Sequence, residues 1–129
     1  MVDKQIISEW LKKADEDYLF AEKHLKDEES FFAPLCFHCH QSAEKYLKAY
    51  LIARGWGLKK THDLIILLSH AVTYEQSLTT LSEEVKRLNA YYIETRYPTV
   101  WPNATERADA EHALADVSNI REAIKNFLT

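Results

Sequence analysis

The stretch CFHCHQSAEKYLK, residues 36 to 48, sets two cysteines and two histidines within five positions and then runs on as a mixed polar and apolar segment. At about 100° per residue, Cys36, Cys39, Ala43, Leu47 and Tyr50 fall on one narrow helical face, with His40 at its edge. The cysteines therefore stand in an apolar stripe, where cysteine behaves as a small buried hydrophobe. A zinc site would instead use Cys36, Cys39 and His40, with a fourth ligand such as His24 or His112. Structural zinc sites usually pair two short Cys or Cys/His knuckles, and no second pair exists in this chain, so core packing without a metal is expected. His38, on the opposite side, reads as a surface or interface histidine. The other face carries Gln41, Glu44, Lys45 and Lys48, with Glu44 and Lys48 at i, i+4 spacing. Phe37 and Ile52 continue that side with apolar groups, which reads as a central helix covered by its own bundle and partly by something else, or as scattered surface hydrophobes.

Outward from this segment, the helix is expected from about Phe32 to Arg54, with Pro34 in its first turn and Gly55 closing it. A preceding helix follows Asp3, a plausible N-cap, and places Ile7, Trp10, Ala14, Tyr18, Ala21 and Leu25 at spacings of three and four. After GWGLKK, Thr61 is expected to cap a short helix with Leu64, Leu67, Leu68 and Ala71. A fourth helix is expected near Thr80, which has capping-box spacing to Glu83, with Leu81, Val85, Leu88 and Tyr92 on one side and an end before Pro98. A last helix, capped by Asn103 or Thr105, carries Ala110, Leu114, Val117, Ile120, Ile124 and Phe127. The expected fold is all-α: an up-and-down antiparallel bundle of four long helices plus one short helix across an end, as one domain over residues 1–129.

Composition agrees. The chain has 129 residues, 47% hydrophobic and 28% charged, with two glycines and three prolines, too few turn formers for a sandwich or barrel. Its net charge of −4 argues against non-specific nucleic-acid binding through a general positive coat, while leaving room for a local basic site. The start, MVDKQIISEWLKKADEDY, scatters charges with no apolar run, and no stretch approaches a membrane span. A cytoplasmic, reducing setting is expected.

HQSAEKYLKAYLIARGWGLKKTHDL, from His40 to Leu64, resembles the HEPN family of small helical domains. The resemblance is carried by Q-x-x-E-x-x-L-K at Gln41, Glu44, Leu47 and Lys48, by the glycine loop and by T-H-D-L from Thr61. WLKKADEDYLFAEKHL at Trp10 to Leu25 and RYP at Arg96 to Pro98 extend it across nearly the whole chain in order. It implies a helical bundle, usually homodimeric. Many stand-alone prokaryotic members are partners of minimal nucleotidyltransferases, some as toxin and antitoxin. Other members are metal-independent ribonucleases with an R-x(4–6)-H motif across the dimer cleft.

In the family, the catalytic arginine lies near the junction into the last helix, the place of Arg96 here. Asn103 then stands where the motif has histidine, and an amide cannot take a proton from a ribose hydroxyl as imidazole can. A second match, Arg107-x4-His112, has the spacing, but five helical residues separate the two side chains by roughly 140°, so a solvated helix face is the competing reading. Lys59, Lys60 and His62 gather where α-helical amides and ammonium groups attract phosphate; alternatively, Thr61 caps the helix and His62 packs locally. Arg96 and Tyr97 supply a guanidinium and an aromatic plane suited to a phosphate and a base, or pair and pack instead. The expected function is a dimeric partner of a small nucleotidyltransferase with a nucleotide or RNA site near Arg96, Tyr97, Lys59, Lys60 and His62, and no cofactor. The rival is a metal-independent ribonuclease using Arg107 and His112, or Arg96 with a histidine from elsewhere; a purely structural dimer with no ligand is the third reading.

Overall fold

The computed structural model describes residues 3–27, 31–57, 60–96 and 106–128, with side chains described throughout except at 93–96. Among these described residues five α-helices follow one another: α1 (Lys4–Leu25), α2 (Phe32–Ala53), α3 (Leu64–Tyr74), α4 (Ser82–Arg96) and α5 (Arg107–Leu128). A 3-10 segment, Gln76–Leu81, joins α3 to α4. Four long helices and a short one is the expected architecture. Asp3 caps α1 by accepting from the Gln5 amide (2.8 Å), as its position before the first apolar repeat implied. At the end of α2, Gly55 takes φ +91°, a conformation cheap only for glycine, and so stops the helix where the sequence places its stop.

Two helix starts differ from expectation. Asp63, not Thr61, caps α3; its carboxylate has the reach to accept from the amides of Ile65 and Ile66, while Thr61 Oγ1 accepts from Asp63 N–H (3.2 Å). Thr80 does not open α4. Its hydroxyl donates back to the Ser77 carbonyl (3.1 Å), as Thr79 and Ser82 donate to carbonyls three residues earlier, and these local bonds favour a tight 3-10 turn before Ser82.

Packing explains why α2 has little exposed surface. It contacts α1, α3, α4 and α5, whereas α1 meets only α2 and α5 among the described helices. The four long helices thus form a bundle whose short diagonal is α2 with α5. Thirteen α2 residues are buried, Cys36, Cys39, Ala43, Leu47 and Tyr50 among them, so the two thiols serve as core filling. Burial pushes the Cys39 thiol well above its ordinary pKa, which keeps it protonated and unreactive. Facing them are Ala14, Tyr18 and Ala21 from α1, Val85 and Leu88 from α4, and Ala110, Val117, Ile120 and Ile124 from α5. Leu114 is only half-buried, and Phe127 is exposed, touching Tyr50 edge-on.

Polar clamps tie α1 to its neighbours. Asp15 accepts from Tyr46, Arg121 (3.2 Å) and Lys125 (2.9 Å), linking α1, α2 and α5. Asp17 accepts from His38 (3.1 Å) and Lys45 (2.5 Å). Burial alone would raise both carboxyl pKa values, but these donors outweigh it and hold them below the ordinary range. His38, half-buried on this edge, is therefore an inter-helix hydrogen-bonding group.

Candidate functional site

The polar edge of α2 is not a solvated strip. Glu44 and Lys48 are 5% and 4% exposed and form an internal ion pair, Lys48 Nζ to Glu44 Oε2 at 3.0 Å. Trp10 of α1 lies over the ammonium, 5.8 Å from ring centroid to nitrogen. A buried pair of this kind contributes little net stability, because desolvating two charges offsets most of their attraction. Its geometric effect is clearer. The second oxygen, Oε1, meets His62 Nδ1 at 3.0 Å. Since a carboxylate paired with an ammonium only accepts hydrogen bonds, Nδ1 must carry a proton, and in the neutral form of the ring Nε2 is then the acceptor.

His62 is fixed at two further points. Its backbone carbonyl accepts from His40 Nε2–H (3.1 Å), and its ring stacks on Tyr92 of α4 with centroids 4.8 Å apart and planes 15° from parallel. Tyr92 in turn stacks near Phe37 of α2 (6.3 Å, 26°). Despite these three restraints, the His62 side chain remains 44% exposed. An exposed imidazole with a set plane and tautomer, positioned by a buried carboxylate, is an arrangement suited to binding or proton transfer.

Beside it, a cleft of about 280 Å³ is lined by Thr61, His62, Asp63, Asn89 and Tyr92. Asn89 Oδ1 accepts from the Leu64 amide (2.8 Å), and its Nδ2 donates to Asp63 Oδ1 (3.2 Å), so α4 completes the capping of α3.

His40 gives this site a pH limit. Burial lowers its pKa from the ordinary 6.5, against smaller opposing effects from Glu44, the His62 carbonyl and Gln41. A depressed imidazole pKa means that the unfolded chain binds the proton more readily. Folding stability from this group is therefore intact above about pH 6.5 and is lost as pH falls toward the lowered value. Asp15 and Asp17, also depressed, add a second loss below about pH 3.8. Thermal melts from pH 8 to pH 3 are expected to show a plateau above pH 7 followed by these two declines. Equal melting temperatures at pH 8 and pH 5 would contradict the assignment to His40.

Of the residues singled out from sequence, His62 occupies the cleft and Lys60 is an exposed neighbour in the chain. Lys59, Tyr97, Asn103 and Thr105 lie outside the described residues, as does the side chain of Arg96. Arg107 turns toward the end of α1, donating to the carbonyls of Leu25 and Asp27 (2.8 Å to the latter), with its guanidinium 5.2 Å from the Phe32 ring. His112 faces elsewhere, its Nε2 3.9 Å from buried Asp116. That carboxylate also receives two bonds from Arg87 of α4, both 2.9 Å. The arginine that tertiary structure brings beside His112 is thus Arg87. Sequence reading missed Arg87, Asn89 and the burial of Glu44 and Lys48; the apolar Phe37 and Ile52 flanking that strip were the one signal of it.

The HEPN domain model matches residues 7–127, so the chain belongs to the HEPN family. A curated relative from Methanocaldococcus jannaschii, named "Putative toxin MJ1304", is 27% identical over 132 residues, covering 92% of this chain and 86% of its own length. Among solved structures, TT1696 from Thermus thermophilus superposes with a TM-score of 0.78 at 30% identity, covering 93% of this chain and 96% of that one. The archaeal HEPN homologue ST0689 gives a TM-score of 0.75 at 22% identity, over 95% and 98% of the two chains, a likeness of fold. Among the described residues, no helix is long and apolar enough to cross a membrane.

Proposed function

We propose that this chain is a dimeric, cytoplasmic HEPN protein that partners a small nucleotidyltransferase in a toxin–antitoxin pair and holds a nucleotide or RNA end in the cleft beside His62. Family membership and the toxin name of the M. jannaschii relative support the toxin–antitoxin side of this reading. The observation that carries the binding site is the half-exposed imidazole fixed by Glu44, His40 and Tyr92. Lys60, and in sequence Lys59, Arg96 and Tyr97, would supply the rim.

Co-expression with a minimal nucleotidyltransferase from the same genome, followed by size-exclusion chromatography, is expected to give one complex containing two copies of this chain. Two separate peaks would count against the partnership.

The ribonuclease reading is kept alive by His112, which is exposed and stands beside a buried carboxylate. Incubation with structured RNA in EDTA distinguishes the readings. Cleavage lost in His112→Ala would establish the enzyme; no cleavage by the wild-type protein supports the binding role.

A further inference from the structure

A helix N-terminus attracts anions through amides that lack partners. At α3 those amides are taken: Leu64 N–H donates to Asn89, and those of Ile65 and Ile66 donate to Asp63 Oδ1 at 2.9 and 3.3 Å. Asp63 also places a negative charge where a phosphate would approach the helix axis, and like charges repel. This part of the cleft is therefore poorly suited to the phosphate of a ligand.

Its acceptors suit hydroxyl groups instead. Asp63 Oδ1 receives Ile65, Ile66 and Asn89, while Oδ2 has no hydrogen-bond donor among the described residues, although Asp63 lines the cleft. In the neutral imidazole whose Nδ1–H bonds Glu44, His62 Nε2 is a second acceptor. The aromatic rings of Phe37, Tyr92 and His62 form a near-parallel series that ends on the exposed imidazole, a platform on which another flat ring can stack. A volume of about 280 Å³ is small for a ligand pocket and suits one nucleoside rather than a longer strand.

We infer that the cleft takes the nucleoside end of a ribonucleotide, its base against His62 and its ribose hydroxyls on Asp63, with the phosphate outside toward Lys60. This rests on the nucleotide-binding reading and specifies which part of the ligand enters. Carboxylate recognition of ribose hydroxyls has the same chemical basis in dinucleotide folds, a charge-assisted hydrogen bond from the 2′-hydroxyl, the group that a 2′-deoxyribose lacks.

Isothermal titration of the full chain with AMP, 2′-deoxy-AMP, adenosine and inorganic phosphate tests it. Adenosine should bind within about threefold of AMP, 2′-deoxy-AMP about tenfold or more weakly because the 2′-hydroxyl donor to the carboxylate is missing, and phosphate alone far more weakly than AMP. Asp63→Asn retains a helix cap and should erase the preference for AMP over 2′-deoxy-AMP. Circular dichroism that matches wild type will confirm that the variant is folded. Equal affinity for AMP and 2′-deoxy-AMP, phosphate binding as tight as AMP, or an unchanged preference in a folded Asp63→Asn would overturn the inference while leaving nucleotide binding in place. Failure of all four probes to bind would instead remove the nucleotide reading, and this inference with it.

Discussion

Glu44→Ala is expected to lower the melting temperature by roughly 10–20 °C, the equivalent of about 3–5 kcal/mol in a domain of this size. The cause is Lys48, which is 4% exposed and would keep its charge inside the bundle with no carboxylate opposite. Trp10 above the ammonium offsets only a small part of that cost. The informative control is the double variant Glu44→Met with Lys48→Met, which replaces the pair by apolar groups of similar length. It should melt near or above the wild type, because neither member then remains as a lone buried charge. It should nevertheless bind AMP more weakly, since nothing then sets the plane and tautomer of His62. Denaturant melts and titration on the same samples separate the two effects. A double variant as unstable as Glu44→Ala would show that the loss comes from packing rather than from an orphaned charge.

Leu47→Ala is the second large effect, about 2–5 kcal/mol of stability. Leu47 is fully buried at the centre of α2, the helix that contacts all four others, so the surrounding side chains have little freedom to collapse into the space left. Urea melts should show a lower midpoint with an unchanged slope, the sign of a less stable but equally compact native state. A loss below about 1 kcal/mol would mean that α2 is less tightly held than its burial indicates.

These two residues, three apart on one helix, were unequally legible. Leu47 belongs to a stripe repeating every three or four residues, and such a stripe is buried whatever the neighbouring helices do in detail. Glu44 and Lys48 are read from sequence as an i, i+4 pair on a polar strip flanked by apolar groups, and only the approach of α1 and the loop before α3 shows that the pair itself is interior. The cysteines show the same logic from the other side. Their place in the stripe was enough to assign them to the core, where both are found fully buried.

The site follows this division. His62 stood out because of its neighbours in the chain, but its partners Glu44, His40 and Tyr92 come from α2 and α4, far from it in sequence, and no local pattern relates them. Arg107 and His112 match a spacing in sequence, yet on one helix that spacing turns them apart, and the fold gives Arg107 to the carbonyls of Leu25 and Asp27 at and just beyond the end of α1 and His112 to the carboxylate shared with Arg87.

By itself, then, the sequence determined the all-α class, five α-helices with their main apolar faces, the glycine stop at position 55 and the family, because helical periodicity and local chain terminators act over only a few residues. Tertiary structure alone decided that Glu44 and Lys48 are buried, that His62 is oriented from beneath while half-exposed, and which oxygens the cleft presents. Those properties depend on desolvation and distance between helices far apart in the chain, and neither is encoded at any one position.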